Sequence, residues 1–326
     1  MTQVKAIRFH QTGGPEVLKY ESIEIGQPGP GEVLLRQQAV GVNFIDVYHR
    51  TGLYPLPLPS GIGLEGAGIV EAIGQGVSDF KPGDRVAYGV GPIGGYADAR
   101  LIPAGKIVKL PDNIDCRQAA GAMLKGLTAQ YLLRRTYNVK AGDTILVHAA
   151  AGGVGLIMCQ WAKALGATVI GTVGSAEKAA LAAANGCDHP INYRTEDFVA
   201  RLRDITGGEG VPVVYDSIGK DTFEKSLDCL RPLGLMVSFG NASGPLAPID
   251  PAALGSRGSL FFTRPSIMSY MAKRSDMVAG AEELFAMIAS GKVNIAVSQT
   301  RPLTEAAEAH RDLEARRTTG STVLIP

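Results

Sequence analysis

The feature that most constrains this chain is residues 142–163, GDTILVHAAAGGVGLIMCQWAK. Residues 144–148 are a short, mostly apolar, β-prone run, and a turn of small residues, 149–153, follows. Beyond it, apolar side chains recur at Val154, Ile157, Met158, Trp161 and Leu165, the spacing of one helix face. Gly166 stands where a glycine closes a helix. Strand, tight glycine turn and helix, in that order, open a dinucleotide-binding unit. Glycines let the backbone approach a pyrophosphate, and the helix N-terminus offers N–H groups with partial positive charge. Gly152, Gly153 and Val154 are the backbone expected to meet it. The fingerprint is incomplete, because the G-x-G-x-x-G frame falls on Ala150, Gly152 and Gly155. The flanking strand and the periodic helix sustain the reading.

Strand-like runs at 168–173, 191–193, 211–215, 235–239 and 260–263 interleave with helical runs at 176–185, 196–205 and 221–230. That alternation predicts a doubly wound parallel sheet. Residues 1–124 are β-rich instead, with strands expected at 5–9, 18–25, 32–40, 67–73, 85–88 and 96–101 between proline–glycine turns. Strands so spaced suggest a small barrel-like sheet. Residues 43–50 form a short expected helix with Asn43 as its cap. The helical run 115–135 crosses into the second domain. The tail holds expected helices at 279–290 and 305–317 and a last strand at 322–325. The class is α/β.

A chain of 326 residues is long enough for two cores. A net charge of +1 leaves no overall electrostatic footprint for nucleic acid or an anionic membrane. The first residues carry no apolar signal-like run and no segment has 18 uninterrupted apolar residues, so a cytoplasmic protein without membrane attachment is expected. The four cysteines and five histidines are scattered, with no C-x-x-C pair and no zinc-ligand spacing. No metal site is expected.

The central stretch, with Leu146, Ala150, Ala151, Gly152, Gly153, Gly155, Gln160 and Lys163, resembles the signature of the quinone oxidoreductase (zeta-crystallin-like) branch of the medium-chain dehydrogenase/reductase superfamily. The resemblance extends over essentially the whole chain. It implies a GroES-like catalytic domain at 1–124, completed by 266–326, and a Rossmann domain at 125–265. It also implies a homodimer joined through the last strand of each Rossmann sheet, a role that fits 260–263. Zinc-containing relatives place a cysteine where this chain has Asn43 and a histidine where it has Leu64, so the resemblance is to the zinc-free members. Without a Lewis acid, the fitting acceptor is already electrophilic, a quinone or conjugated carbonyl.

By position the resemblance assigns Asn43, Tyr48 and Tyr54 to the nicotinamide and acceptor, and Lys125 and Thr128 to the cofactor. Ser217, Phe239, Gly240, Arg264, Pro265 and Ser266 follow later strands, where open α/β sheets bind ligands, and Arg317 resembles a further contact. Glu65 is readable as an acid, a base or a structural carboxylate. NADPH is the expected cofactor. NAD-selective proteins place a carboxylate about 20 residues after the turn, and counting from Gly155 lands on Ser175, after Gly174. Lys178 and Tyr193 stand within reach of the same ribose. Three readings remain open: a zinc-free NADPH-dependent quinone reductase, a reductase of enone or enoyl double bonds, and an NADPH-binding protein with a structural or RNA-binding role.

Overall fold

In the computed structural model, which describes residues 2–326, eight strands lie within the first 109 residues. They are β1 (Thr2–Phe9), β2 (Lys19–Ile25), β3 (Glu32–Val42), β4 (Ser60–Gly61), β5 (Gly66–Ile73), β6 (Arg85–Tyr88), β7 (Ala99–Pro103) and β8 (Val108–Lys109). β1 pairs with β2 and β4, while β3 pairs with both β5 and β7 and the sheet continues through β6 to β8. Val33, Leu35, Val70, Val86, Ile102 and Ile107 form the apolar core under this larger sheet. Each such side chain contributes about 1.5–3 kcal/mol on burial. Two helices follow: α1 (Phe44–Thr51), which belongs to this part, and α2 (Cys116–Tyr131), which is shared between the two parts of the chain and runs on in a π-helical turn, Leu132–Thr136. The strand expected at 96–101 starts later. Tyr96 spends its backbone groups on Ile7 and Ile62 rather than on the β3 ladder, so β7 begins at Ala99.

The second half gives β9 (Thr144–Val147), β10 (Thr168–Val173), β11 (His189–Asn192), β12 (Val211–Asp216), β13 (Leu230–Ser238) and β14 (Phe261–Thr263). Their spatial order is β11-β10-β9-β12-β13-β14, and every pairing is parallel. The winding reverses between β9 and β12, the place where doubly wound sheets bind ligands. The connecting helices are α3 (Gly153–Ala164), α4 (Ala176–Ala184), α5 (Phe198–Ile205), α6 (Phe223–Asp228) and α7 (Pro251–Ser256). α3 ends at Gly166, whose φ of 84° is the left-handed conformation glycine supplies without strain. Phe198, Leu202, Phe223 and Leu227 pack on Leu146, Ile170, Val214 and Met236. The helix expected over 221–230 is shorter. Leu230 already opens β13, and the register shift against β12, with Leu233 at φ 60°, hides residues 230–234 of the strand from an alternation count.

The tail adds α8 (Ile267–Tyr270), α9 (Arg274–Ala289), β15 (Val297–Pro302), α10 (Ala306–Glu314) and β16 (Ser321–Ile325). β16 lies antiparallel to β3 and parallel to β15, so the C-terminus joins the first sheet. β15 carries no sequence signal because it is a polar, half-buried edge strand, VSQTRP. α10 stops at Glu314, before the expected 317, since Arg316 takes a left-handed φ of 58°. The chain divides into two units. One comprises the chain up to Leu127 with Met271–Phe285 and Ile295–Pro326, the other Thr128–Tyr270 with Ala286–Asn294. Within the tail, residues 286–294 go with the parallel sheet, where the Gln160 amide holds the Asn294 backbone at both its N–H (2.8 Å) and C=O (3.1 Å). Among the described residues no helix is long and apolar enough to cross a membrane.

Candidate active site

In the first unit a single carboxylate gathers the polar residues. Asn43 is the N-cap of α1, with extended backbone, and its N–H donates to Asp46 Oδ2 at 2.9 Å in a capping-box arrangement. Its side-chain Nδ2 turns the other way and donates to Glu65 Oε2 at 2.8 Å. Lys125 Nζ donates to the same oxygen at 2.9 Å, and the Leu124 N–H to Glu65 Oε1 at 2.7 Å. Glu65 sits between β4 and β5, in the turn opened by Gly63 at φ 96°. Its side chain is fully buried and that of Lys125 nearly so. Removing one partner from such a pair leaves a bare buried charge, at a cost of about 3–5 kcal/mol.

Behind Asn43 lies a second polar chain that no sequence signal marked. The Tyr96 hydroxyl donates to Asp46 Oδ2 at 2.9 Å and stands 3.2 Å from His310 Nε2. Arg50 lies 3.3 Å from His310 Nδ1 and pairs in a fork with Glu314 at 2.7 and 2.9 Å. The protons follow by counting. Tyr96 gives its one proton to Asp46, so His310 donates from Nε2 to the tyrosine oxygen and accepts from Arg50 at Nδ1. Protonating Nδ1 would aim a proton at a guanidinium. Burial first, and the Arg50 charge second, lower the His310 pKa to about 3. Burial raises Asp46 to about 7, against the hydrogen bonds from Asn43 and Tyr96. Among the described residues Asp46 Oδ1 has no partner, so it is the natural seat of that proton. The acid three residues after the Asn43 cap is the one signal that could have pointed to Asp46; His310, 214 positions from Tyr96, had none.

Tyr48 and Tyr54 are brought together. The Tyr54 N–H donates to the Tyr48 carbonyl at 3.0 Å, and the rings meet edge to face at 5.2 Å, with Phe44 6.1 Å from Tyr48.

In the second unit the residues singled out from sequence follow the carboxyl ends of the parallel strands. Gly152, Gly153 and Val154 open α3 after β9, with Gly152 as its N-cap. A Cβ on Gly155 would collide with the backbone of Ala149 and Ala150, so glycine there lets helix and strand close up. Gly174 and Ser175 follow β10. The Ser175 hydroxyl caps α4 by accepting from the Lys178 N–H at 3.3 Å. Glu177 is fully exposed, and the Ser175 hydroxyl holds its pKa down. Tyr193, just past β11, is 39% exposed rather than a core tyrosine, and its hydroxyl would lie 2.7 Å from a Cβ on Gly174. Ser217 follows β12, where its backbone crowds the Cα of Gly240, which with Phe239 follows β13. Arg264, next after β14, donates to the carbonyls of Ser238 (2.8 Å) and Gly240 (3.2 Å) and so ties two strand ends together. Pro265 and Ser266 lead into α8, where Ser266 Oγ accepts from the Met268 N–H. Thr128 is buried on α2. Arg317 belongs to the first unit; it lies past α10, not at its end, and binds Asp312 Oδ1 at 2.6 and 2.8 Å.

Beneath the turn, buried His148 spans Thr172 (2.8 Å from Nδ1) and Ser226 (2.9 Å from Nε2). It pins β9 to its neighbours, and burial lowers its pKa.

A nucleotide-type parallel sheet joined to an antiparallel domain, with polar groups converging on one buried carboxylate, defines a two-domain dehydrogenase/reductase of the medium-chain class. Family models agree: residues 29–112 match the alcohol dehydrogenase GroES-like domain and residues 153–287 the zinc-binding dehydrogenase domain. The chain is 55% identical over 323 residues to a quinone oxidoreductase of Pseudomonas aeruginosa, covering 99% of each. It is 51% identical to the 2-haloacrylate reductase of a Burkholderia species, again over 99% of each. The crystal structure of Escherichia coli quinone oxidoreductase complexed with NADPH superposes with a TM-score of 0.97 at 51% identity, covering 99% of this chain and 100% of that one. The chain belongs to the quinone oxidoreductase family.

The zinc in one matched description does not fit the residues present. Leu64 is a buried hydrocarbon, Asn43 commits its Nδ2 to Glu65, and among the described residues no three His, Cys, Asp or Glu side chains cluster as ligands.

Proposed function

We propose that the chain is an NADPH-dependent reductase that passes hydride to a quinone or other conjugated carbonyl without a metal ion. The observation that carries this is the row of turns at the carboxyl edge of the β9–β14 sheet, from Gly152 to Ser266, in a strand order whose reversal point suits a dinucleotide. Ser175 occupies the place where NAD-selective proteins put a carboxylate, and Lys178 supplies a cation for a 2′-phosphate. Gly174, Tyr193, Ser217, Phe239, Gly240, Arg264, Pro265, Thr128 and Arg317 are read as further cofactor contacts. Reduced nicotinamide supplies the hydride. The chain's own part is to orient nicotinamide and acceptor through Asn43, Tyr48 and Tyr54, and to hold the charge of Lys125, read as a cofactor contact, in place. Relatives named quinone oxidoreductase, one crystallised with NADPH, support the reading.

A second reading, reduction of an activated carbon–carbon double bond, is favoured by the 2-haloacrylate reductase that is 51% identical to this chain. Steady-state rates with quinones, enones, 2-haloacrylate and alcohols, each with NADPH and NADH, separate the two. Quinone with NADPH is expected to be fastest; faster double-bond reduction would transfer the assignment, and alcohol oxidation alone would end it. We also propose a cytoplasmic homodimer. β14 is the last strand of its sheet and Phe261 on it is 60% exposed, an edge that otherwise invites aggregation. A monomeric mass by light scattering would refute the dimer.

A further inference from the structure

We propose that Glu65 is the positioning residue of the reaction: its one carboxylate fixes the orientation of Asn43 and keeps Lys125 charged. The inference rests on the reading above, in which Asn43 serves the nicotinamide and acceptor and Lys125 the cofactor. Asn43 and Lys125 come from different elements, the cap of α1 and the middle of α2, and converge on the same Glu65 oxygen at 2.8 and 2.9 Å. The other oxygen takes the Leu124 N–H at 2.7 Å, which anchors the carboxylate to the backbone of the helix that carries Lys125. Gly41 on β3 leaves the space, since a Cβ there would collide with Glu65 and with the Ala120 carbonyl.

The chemistry gives each contact a task. A carboxylate that accepts from the Asn43 amide forces Nδ2 toward itself and leaves the amide oxygen on the other side. A buried ammonium keeps its charge only beside an opposite charge, because desolvation favours the neutral amine. The remaining ionisable groups facing this carboxylate do not replace it. Asp46 on α1 is held near neutral by burial, and Tyr88 on β6 and Tyr96 ahead of β7 are phenols that burial keeps protonated. Arg50 and His310 lie behind Tyr96 and are occupied by Glu314 and by each other.

The test compares Glu65→Gln and Glu65→Asp with wild type in two readouts. The first is the 15N signal of the Lys125 side chain, assigned by its loss in Lys125→Met and followed against pH. Glu65→Gln is expected to release the Lys125 proton about two pH units or more below wild type, and Glu65→Asp less. The second is kcat for quinone reduction with NADPH against pH. Glu65→Gln is expected to gain a limb that falls roughly tenfold per pH unit as Lys125 deprotonates, with NADPH affinity within about twofold of wild type at pH values below that limb. Should Glu65→Gln fail to fold, Glu65→Asp carries both readouts. A Lys125 titration unchanged in either variant overturns the proposal, as does a variant profile parallel to wild type. If wild type reduces no quinone, the proposed function fails, while the 15N titration still decides the role of Glu65.

Discussion

Asp46 and His310 should titrate against each other, and removing either should expose the other. Asp46 rises from 3.8 to about 7 on folding, so its contribution to stability is complete below pH 3.8 and is lost as pH rises through 7. His310 falls from 6.5 to about 3, so its contribution is complete above pH 6.5 and is lost as pH falls through 3. Each gap spans about three pH units, or ~4–5 kcal/mol at about 1.4 kcal/mol per unit. Where the two windows overlap the native state holds one proton on Asp46 and the unfolded state one on His310, and the slopes cancel. His310→Gln keeps an acceptor for Arg50 and a donor for Tyr96 without titrating. Relative to wild type it should lose about 2.4 kcal/mol between about pH 4.5 and 6.5. Asp46→Asn should gain a similar amount over the same interval. Lys125, Glu65, Arg50 and Glu314 face the pair and are common to all three proteins. Urea denaturation followed by circular dichroism at several pH values measures the difference. A His310→Gln curve parallel to wild type within about 0.5 kcal/mol would refute the proton count around Tyr96.

Other outcomes follow from the second unit and from α1. Gly155→Ala should push the α3 N-terminus off Ala149 and Ala150, lowering stability by about 1–3 kcal/mol and weakening NADPH binding, read by thermal melts and cofactor titration. Lys178→Ala should weaken NADPH about 10- to 100-fold and leave NADH unchanged; equal losses for both cofactors would mean that the 2′-phosphate is not read there. Tyr48→Phe should lower turnover with little effect on NADPH affinity, measured in steady state with several quinones.

Much of the second unit was legible because its signals are local. A parallel strand buried on both faces reads as an apolar run, and a helix covering it reads as a 3.6-residue period. Residues 142–166 therefore announced β9, the turn, α3 and its closing glycine, and the alternation that follows announced the sheet. Family likeness singled out Asn43 and Lys125 without showing that both bind one carboxylate. What the sequence could not express are contacts between residues far apart in the chain. Glu65 meets Lys125 and Asn43, Asp46 meets Tyr96, and Tyr96 meets His310 214 positions away. None leaves a periodic trace, because a buried polar group is tolerated only where folding delivers its partner. β15 escaped for a related reason: a polar edge strand is specified by β16 alongside it, not by its own residues. Local pattern determined most strands and helices of the second unit and the glycine turn between β9 and α3; packing alone decided which charges stay buried, which proton sits where, and that Glu65 holds Asn43 and Lys125 together.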